Sequence, residues 1–547
     1  MKMIALTISK YQFLATILMI TFTFTGIVSA AEITVGPVEG DYDYNTISAA
    51  VTAASAGDVI TVSDGTYNEN VVVGKSITIR SENGASSTVV NSATSDHAFK
   101  ITSNDVTIEG FKVTGSPEPA AGIYLSYVSG CYISNNTLTG NYYGVYLEDS
   151  DYNTISNNIA NNNYGDGICL KSGSSYNVII NNNANYNTWK GINLENYNDY
   201  NNVSYNTVTD NQQYGIYIYY SDKNTLKKNA VSGNDEEGIY LSSSSNNNLT
   251  NNTASGNNYG IHLSFSSGNN LTNNMMSSNT YNFYVYSSSL SYFTNDIDTS
   301  NLVNGKPVYY LKDRSDETIP SDAGVVYAIN SSNITVSGAE ISNEYYGVRL
   351  FNTENSTIEN VMVSSCYIGI SLHSSSNNNL INNTASGNDN HGIYLYSSSN
   401  NNLTSNNASG NDNYGIYLYY SSNYNSLTNN TVSGNRYSGI YISSSSNNNL
   451  TSNNATSSTY YHGIYLYYSS NNTLTSNNAS GNDDQGIFLS SADNNTLAKN
   501  TAIDNDCGIY LSSSSNNNLT NSTVNTNSYH GIFLLSSSNY NTLTNNT

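Results

Sequence analysis

Gly238-Ile239-Tyr240-Leu241, followed by Leu249, Asn252 and Ala254, is one turn of the pattern that decides this fold. The signature is Gly, then Ile or Val, then a variable residue, then Leu or Ile. It recurs at Gly122, Gly144, Gly167, Gly191, Gly215, Gly238 and Gly260. It resumes at Gly347, Gly369, Gly392, Gly415, Gly439, Gly463, Gly486, Gly508 and Gly531. Intervals are 22 to 24 residues within each series. The second half repeats too, as Ile133, Asn136, Leu138 and as Leu427, Asn430, Val432. Each unit therefore holds three short apolar patches of period two between Ser/Asn/Gly clusters, which signals strand and turn rather than helix. Three such strands cannot close a sheet alone. Stacked coil on coil, each pairs with its equivalent in the next unit, and the chain is an all-β solenoid, a parallel β-helix with three strands per coil. Ile239 and Leu241 point inward and Tyr240 outward. At about 4.8 Å per strand, some 17 or more coils predict a rod of roughly 80–100 Å.

The recurring Asn sits at an inward-pointing bend, where its amide needs partners. Stacked amides one coil apart can bond to each other and to backbone. The predicted ladder is Asn136, Asn158, Asn182, Asn206, Asn229, Asn252 and Asn274, then Asn383, Asn406, Asn430, Asn453, Asn477 and Asn500. Phe111 and Val361 fill its place early in each series, and Ser522 interrupts it.

Composition narrows the function. Charged residues are 10% of 547, and the formal charge is −23, so nucleic acid and other polyanions are unsuitable partners. Asn takes roughly one position in six, yet 37% apolar and 11% aromatic residues, regularly placed, exclude disorder. Lys2 and Lys10, the apolar run from Phe13 to Val28, and Val28-Ser29-Ala30 form a secretory signal pattern over residues 1–30. Residues 31–120 read as an N-terminal cap and first coils. They include a short helix from Asn45 to Ser55 with Ile47, Val51 and Ala54 on one face, and strands at Val59–Val62, Val71–Val73 and Ser76–Arg80. Residues 121–280 form one helical block and 336–547 a second. Between them, 281–335 is a charged connecting segment with Lys312, Asp313, Arg314, Asp316 and Glu317. Cys131, Cys169, Cys366 and Cys507 are far apart and resemble neither a disulfide framework nor a zinc site.

Three stretches carry a family resemblance. Asn45-Thr46-Ile47-Ser48-Ala49-Ala50-Val51, Gly57-Asp58-Val59-Ile60 and Gly65-Thr66-Tyr67-Asn68-Glu69 resemble the start of pectate-lyase-like right-handed β-helix proteins. The Gly-Ile-x-Leu units with Asn-Asn-Thr turns resemble repeats of the NosD type. Asn304-Gly305-Lys306-Pro307-Val308-Tyr309-Tyr310-Leu311 resembles the segment between such blocks in NosD-like surface proteins of methanogenic archaea. The resemblance implies a right-handed, single-stranded parallel β-helix on the cell surface. It also implies carbohydrate binding or sugar-hydrolysis modules, or copper handling in the manner of the periplasmic NosD.

The residues themselves favour a non-catalytic reading. Asn-Thr-Asp, Gly-Asp-Asp, Gly-His-Gly and Arg-Ile-Lys, motifs of hydrolases on this fold, are missing. Arg349 lies outward, but one coil later the place is Ser371. The acidic pairs are Asp389 with Asp412 and Asp483 with Asp506, a spacing that turn chemistry also explains. His391, His462 and His530 share a column but lie about 14 Å or more apart, too far for one ion. No catalytic residue, metal ligand or cofactor is assigned, since ligand spacing supports neither calcium nor copper. The outward column is different: Tyr394, Tyr417, Tyr441, Tyr465, Phe488, Tyr510 and Phe533 follow in consecutive coils, with Tyr396, Tyr419 and Tyr467 in a second column. In the first block Tyr124, Tyr146, Tyr217 and Tyr240 are broken by Cys169, Asn193 and His262. Stacked aromatics reinforce strands. They also form a strip that, flanked by Asn, Ser and Asp, suits an extended polysaccharide. Sequons such as Asn135-Asn136-Thr137 and Asn251-Asn252-Thr253 mark glycan acceptors on turns of an exported chain. The expectation is thus a secreted protein of the cell surface or a periplasm-like envelope, binding extended carbohydrate or packing in a surface layer. Its partners are polysaccharide or envelope glycans, with self-association through the C-terminal end, where apolar Ile532, Leu534 and Leu543 precede Thr547. A polysaccharide lyase or glycoside hydrolase, and a NosD-like copper-handling protein, are the competing classes.

Overall fold

The computed structural model describes residues 30–38 and 40–547; the expected leader, but for Ala30, lies outside them. The chain winds into a right-handed parallel β-helix of about 22 turns. A coil runs through three faces: Tyr143–Glu148 on face 1, Thr154–Ser156 on face 2 and Ile159–Ala160 on face 3. Strands pair in register with the next coil, Ile239 with Ile261, Leu249 with Leu271 and Ala254 with Met276. The inward residues of these pairs are fully buried, as the period-two alternation requires.

The corners explain the Asn-Asn pairs. The first residue takes the left-handed conformation, as in Asn135 (φ 58°), Asn157 (φ 55°) and Asn181 (φ 56°), which Asn tolerates. The second turns inward and joins the ladder. From Asn136 to Asn252, and from Asn383 to Asn477, each Nδ2 donates to the Oδ1 one coil on at 2.9–3.1 Å. Phe111 and Val361 hold the same place, their N–H groups donating to Asn136 and Asn383. Sequence reasoning found one ladder, and the structure has three. Asn153, Asn177, Asn201, Asn224 and Asn247 stack at the corner between faces 1 and 2. Asn141, Asn163, Asn187, Asn211, Asn234 and Asn257 stack before face 1.

At the N-terminus the helix is Ile47–Ala53, shorter than expected, with Ile47, Ala50 and Val51 buried in the core. The Thr46 side chain caps it, accepting from Ala49 N–H at 3.2 Å. Glu69 accepts the N–H groups of Ile47 and Ser48 at 2.8 and 2.9 Å.

The chain forms two stacks rather than the single rod that coil counting predicts. Asn304 (φ 48°) and Gly305 (φ 81°) make a two-residue hairpin, and Val303 pairs antiparallel with Lys306. Five face-3 strands of block 1 thereby join the face-1 strands of block 2 in one 16-stranded sheet. Handedness dictates the rest. A right-handed coil advancing in a given direction has its core on one side of each strand. Reversing the strand while stacking continues moves the core to the other side. So Val308, Tyr310, Val325, Tyr327 and Ile329 face the first core, while Val326, Ala328, Val348 and Leu350 face the second. The first coils of block 2 thus plug the open end of block 1.

Polar groups finish that plug. Tyr281–Tyr286, the last face-1 strand of block 1, meets side chains and the Asn343 C=O, which accepts the Asn282 N–H at 2.7 Å, instead of another strand. Its Phe283 N–H donates to the Glu344 carboxyl at 2.9 Å, and its Val285 C=O accepts from Arg349 Nη1 at 2.9 Å. Burial pushes the Glu344 carboxyl well above the usual range. Arg349, an outward cation in the sequence reading, is 2% exposed and lies 4.3 Å from the Tyr346 ring centre. It serves the seam and is not a surface group.

Candidate functional site: an aromatic face with a groove

Face 1 of block 2 holds Tyr394, Tyr417, Tyr441, Tyr465, Phe488, Tyr510 and Phe533 in direct register, all half-buried. From Tyr417 to Tyr510 successive ring centres are 4.8–4.9 Å apart and within 17° of parallel. The ends of the column, Tyr394 with Tyr417 and Tyr510 with Phe533, tilt to 33° and 34°. This stacking has a chemical consequence. Each ring face is covered by its neighbour, so the column presents ring edges and phenol groups outward. Burial, followed by the neighbouring rings, raises the phenols of Tyr417 and Tyr394 above their ordinary value. Of the second column, Tyr396 and Tyr419 contact each other at 5.7 Å, while Ser443 separates Tyr419 from Tyr467.

Beside the column lies a groove of about 480 Å³ that the sequence reading did not find. Its far wall is Tyr414, Tyr437 and Tyr461, from the turns that precede the strands; its floor includes Tyr465, Phe488 and Tyr510. Tyr414 and Tyr441 are 4.8 Å apart at 47°, so these rings are not stacked flat. Tyr461 is 46% exposed and meets Tyr437 and His462 at tilted angles of 54° and 67°. Burial pushes the Tyr414 phenol up to about 12.

His462 and Asp484 supply polar groups to the groove. His462 lies edge-on to Tyr465 and Phe488, at 5.0 and 4.9 Å. Its Nδ1 is 3.6 Å from Asp484 Oδ2, and the Gln485 N–H approaches Nδ1 at 3.4 Å. Burial pushes the His462 pKa down to about 3, so at neutral pH this is an uncharged imidazole beside a carboxyl and not an ion pair. Burial, and then Asp506, raise the Asp484 carboxyl. Asp506 N–H donates to Asp484 C=O, so Asp484, not Asp483, is its neighbour across coils. Asp389 is likewise engaged, accepting from Tyr281 Oη at 2.7 Å. Among the described residues no Lys or Arg lines the groove; Arg436 sits by its rim, over the rings of Tyr460 at 5.3 Å and Tyr437 at 5.9 Å.

Block 1 has its own aromatic face. Tyr124 and Tyr146 stack at 5.2 Å, His97 stacks on Tyr124 at 4.1 Å, and Tyr124 Oη donates to Glu148. Tyr217, Tyr240, His262 and Tyr284 continue that column, with His262 Nδ1 2.9 Å from Glu237. Cys169 and Asn193 interrupt it and are fully buried.

Comparison with known proteins agrees with this architecture. The family described as right handed beta helix region matches residues 42–204, 97–242, 190–305 and 414–547. The chain belongs to the right-handed β-helix family. Residues 310–455 of this β-helix protein also match the family of periplasmic copper-binding protein (NosD). A cell surface glycoprotein of Methanothermus fervidus is 35% identical over 125 residues, which is 22% of this chain and 20% of that protein. This β-helix protein therefore spans about a fifth of that relative's length. Among solved structures, pectate lyase Pel9A is 18% identical with a TM-score of 0.39, over 50% of this chain and 80% of that one. The periplasmic alginate epimerase AlgG is 15% identical with a TM-score of 0.34, over 59% and 77%.

Proposed function

We propose that this is an exported cell-surface β-helix protein, without chemistry of its own, whose block 2 aromatic face holds extended carbohydrate. The groove carries the reading. It runs along the coils, so a linear glycan can lie in it past Tyr414, Tyr437 and Tyr461. Exposed rings pack against sugar C–H surfaces, while Ser438, Asp484 and Gln485 offer partners for hydroxyls. The lining holds Asp484 and neither Lys nor Arg, Arg436 standing only at the rim, and this suits neutral or amino sugars better than uronates. The name of the Methanothermus relative and the acidic, secreted-type sequence support a surface location.

The test is a glycan array with the purified chain, followed by the Tyr437→Ser/Tyr461→Ser double variant. Binding should fall at least tenfold with unchanged circular dichroism and melting temperature. Undiminished binding in the folded variant overturns the groove reading. Release of cleaved product from a bound polysaccharide would put an enzyme in its place, and stoichiometric copper in the purified protein a copper carrier.

A further inference from the structure

Faces 1 and 2 share the same strand frame, an outward residue, an inward apolar residue and a second outward residue, but fill it differently. On five coils of face 2 the frame reads Asn248-Leu249-Thr250, Asn270-Leu271-Thr272, Asn402-Leu403-Thr404, Asn449-Leu450-Thr451 and Asn518-Leu519-Thr520. Each is a complete Asn-x-Ser/Thr acceptor. On five coils of face 1 it reads Tyr240-Leu241-Ser242, His262-Leu263-Ser264, Tyr441-Ile442-Ser443, Phe488-Leu489-Ser490 and Tyr510-Leu511-Ser512. One Asn would complete an acceptor in each. The Asn that does occupy this column, Asn193, is followed by Leu194-Glu195 and is fully buried. The turns that line the groove, residues 411–414, 435–438 and 458–462, hold no acceptor either.

The acceptors are also presented for modification. Asn248, Asn270, Asn449 and Asn518 are exposed on face 2. Thr250, Thr404 and Thr451 hydroxyls donate to the Oδ1 of Asn248, Asn402 and Asn449 at 3.0, 3.1 and 3.3 Å, engaging the carbonyl and not Nδ2. At the corner between faces 2 and 3 the exposed left-handed residue is the acceptor in Asn251-Asn252-Thr253, Asn382-Asn383-Thr384 and Asn429-Asn430-Thr431. The buried ladder Asn is the middle residue of each, so the ladder stays unmodified while its neighbour is available.

We propose that the protein is N-glycosylated on face 2 and its bordering corners, and that the aromatic face 1 is its bare face. This rests on the reading of the chain as exported. The co-reactant is a lipid-phosphate-linked oligosaccharide. The Asn Nδ2 attacks its anomeric carbon, and the N–C1 bond forms as the C1–O bond to phosphate breaks. The electron pair leaves on the phosphate, the amide proton passes to a base, and nothing is oxidised or reduced. The result, block by block, is a hydrated sugar coat on one face and stacked rings on another.

The experiment is glycopeptide mass mapping of the full chain, secreted by a host that N-glycosylates exported proteins. Glycans are expected at Asn248, Asn449, Asn251, Asn382 and Asn429. Tyr441→Asn, which completes an acceptor with Ser443, and Phe488→Asn, which completes one with Ser490, should each add one glycan on face 1. The glycosylated form of either variant should bind the array ligand at least tenfold more weakly than the same variant after glycan removal. An exported chain with an unmodified face 2 overturns the proposal and leaves the export reading standing. A chain retained inside the cell and unmodified overturns both. Equal ligand binding by the glycosylated and stripped forms of both variants overturns the assignment of face 1 as the face that must stay bare.

Discussion

The Glu344 carboxyl of block 2 accepts the backbone N–H of Phe283 in block 1 at 2.9 Å, and its other oxygen accepts from Asn282 Nδ2 at 3.1 Å. A carboxyl here does the work that a paired strand does elsewhere in the sheet. Removing it in Glu344→Ala leaves the buried Phe283 N–H unpaired, at about 1–3 kcal/mol, while Asn282 Nδ2 keeps its bond to the Asn343 C=O at 3.0 Å. Glu344→Gln keeps an acceptor and should cost less. The pH dependence has a definite sign. A carboxyl with a raised folded pKa keeps its proton where the unfolded one has lost it. Its contribution is full below the unfolded value and fades as pH rises through the folded one. Melting curves of the three proteins from pH 4 to 8 check both statements; a wild type and Glu344→Gln with parallel pH profiles would refute the second.

Block 2 carries an opposing acid sensitivity. Burial holds His391 and His462 down to about pKa 3. Unfolded, each takes its proton near pH 6.5, so between those values only the unfolded chain binds it. Stability should fall as pH drops from 6.5 towards 3, by up to about 1.4 kcal/mol per pH unit for each residue. His391→Phe should flatten this slope, as read by urea midpoints at pH 6.5, 5 and 4. An unchanged slope would show that His391 is reached by solvent.

Asn430 tests the ladders. Its Oδ1 accepts from Asn406 N–H and Nδ2 at 2.9 and 3.0 Å, and its Nδ2 donates to Leu403 C=O and Asn453 Oδ1 at 2.9 Å each. Asn430→Leu strands groups on three residues and should destabilise by about 2–5 kcal/mol. Asn429→Asp, one residue away, exposed and in the left-handed conformation that Asp also tolerates, should change stability by less than about 0.5 kcal/mol. Chemical denaturation of both variants decides; similar effects would place Asn430 in solvent.

Stacking predicts how the aromatic column responds to substitution. Tyr441→Ser removes a ring flanked by Tyr417 and Tyr465 at 4.8 and 4.9 Å and uncovers a face of each. It should cost about 1–3 kcal/mol in lost packing and stacking. Glycan binding should fall less than in the Tyr437→Ser/Tyr461→Ser variant, because the groove wall remains. The reverse order of effects would make the column, rather than the groove, the contact surface.

Much of this fold could be read from the Gly-Ile-x-Leu spacing, because burial in a solenoid coil depends on alternation within a few residues. The ladder of Asn136 to Asn274 was legible for the same reason. The other two ladders were not, since Asn is so frequent that Asn141 or Asn153 does not stand out against its neighbours. The groove was hidden by register. Tyr414 lies one residue before its Gly, but Tyr437 and Tyr461 lie two before theirs, so coil-length variation within the turns blurs the column. The column itself was visible, but not the mutual covering of its rings, which depends on side-chain tilt. The two-core arrangement was foreshadowed by Asn304-Gly305, a hairpin signal whose effect appears only when handedness is applied to the reversed strand.

That hairpin also makes length and shape independent. Each coil touches only its neighbours, so adding or deleting a 23-residue unit far from the seam lengthens or shortens one block by about 4.8 Å and disturbs no other contact class. The reach of each block is therefore adjustable in steps, like the rungs of an extending ladder, while Val303, Lys306, Glu344 and Arg349 fix the coupling between them. Selection can tune the reach of either block without redesigning the joint.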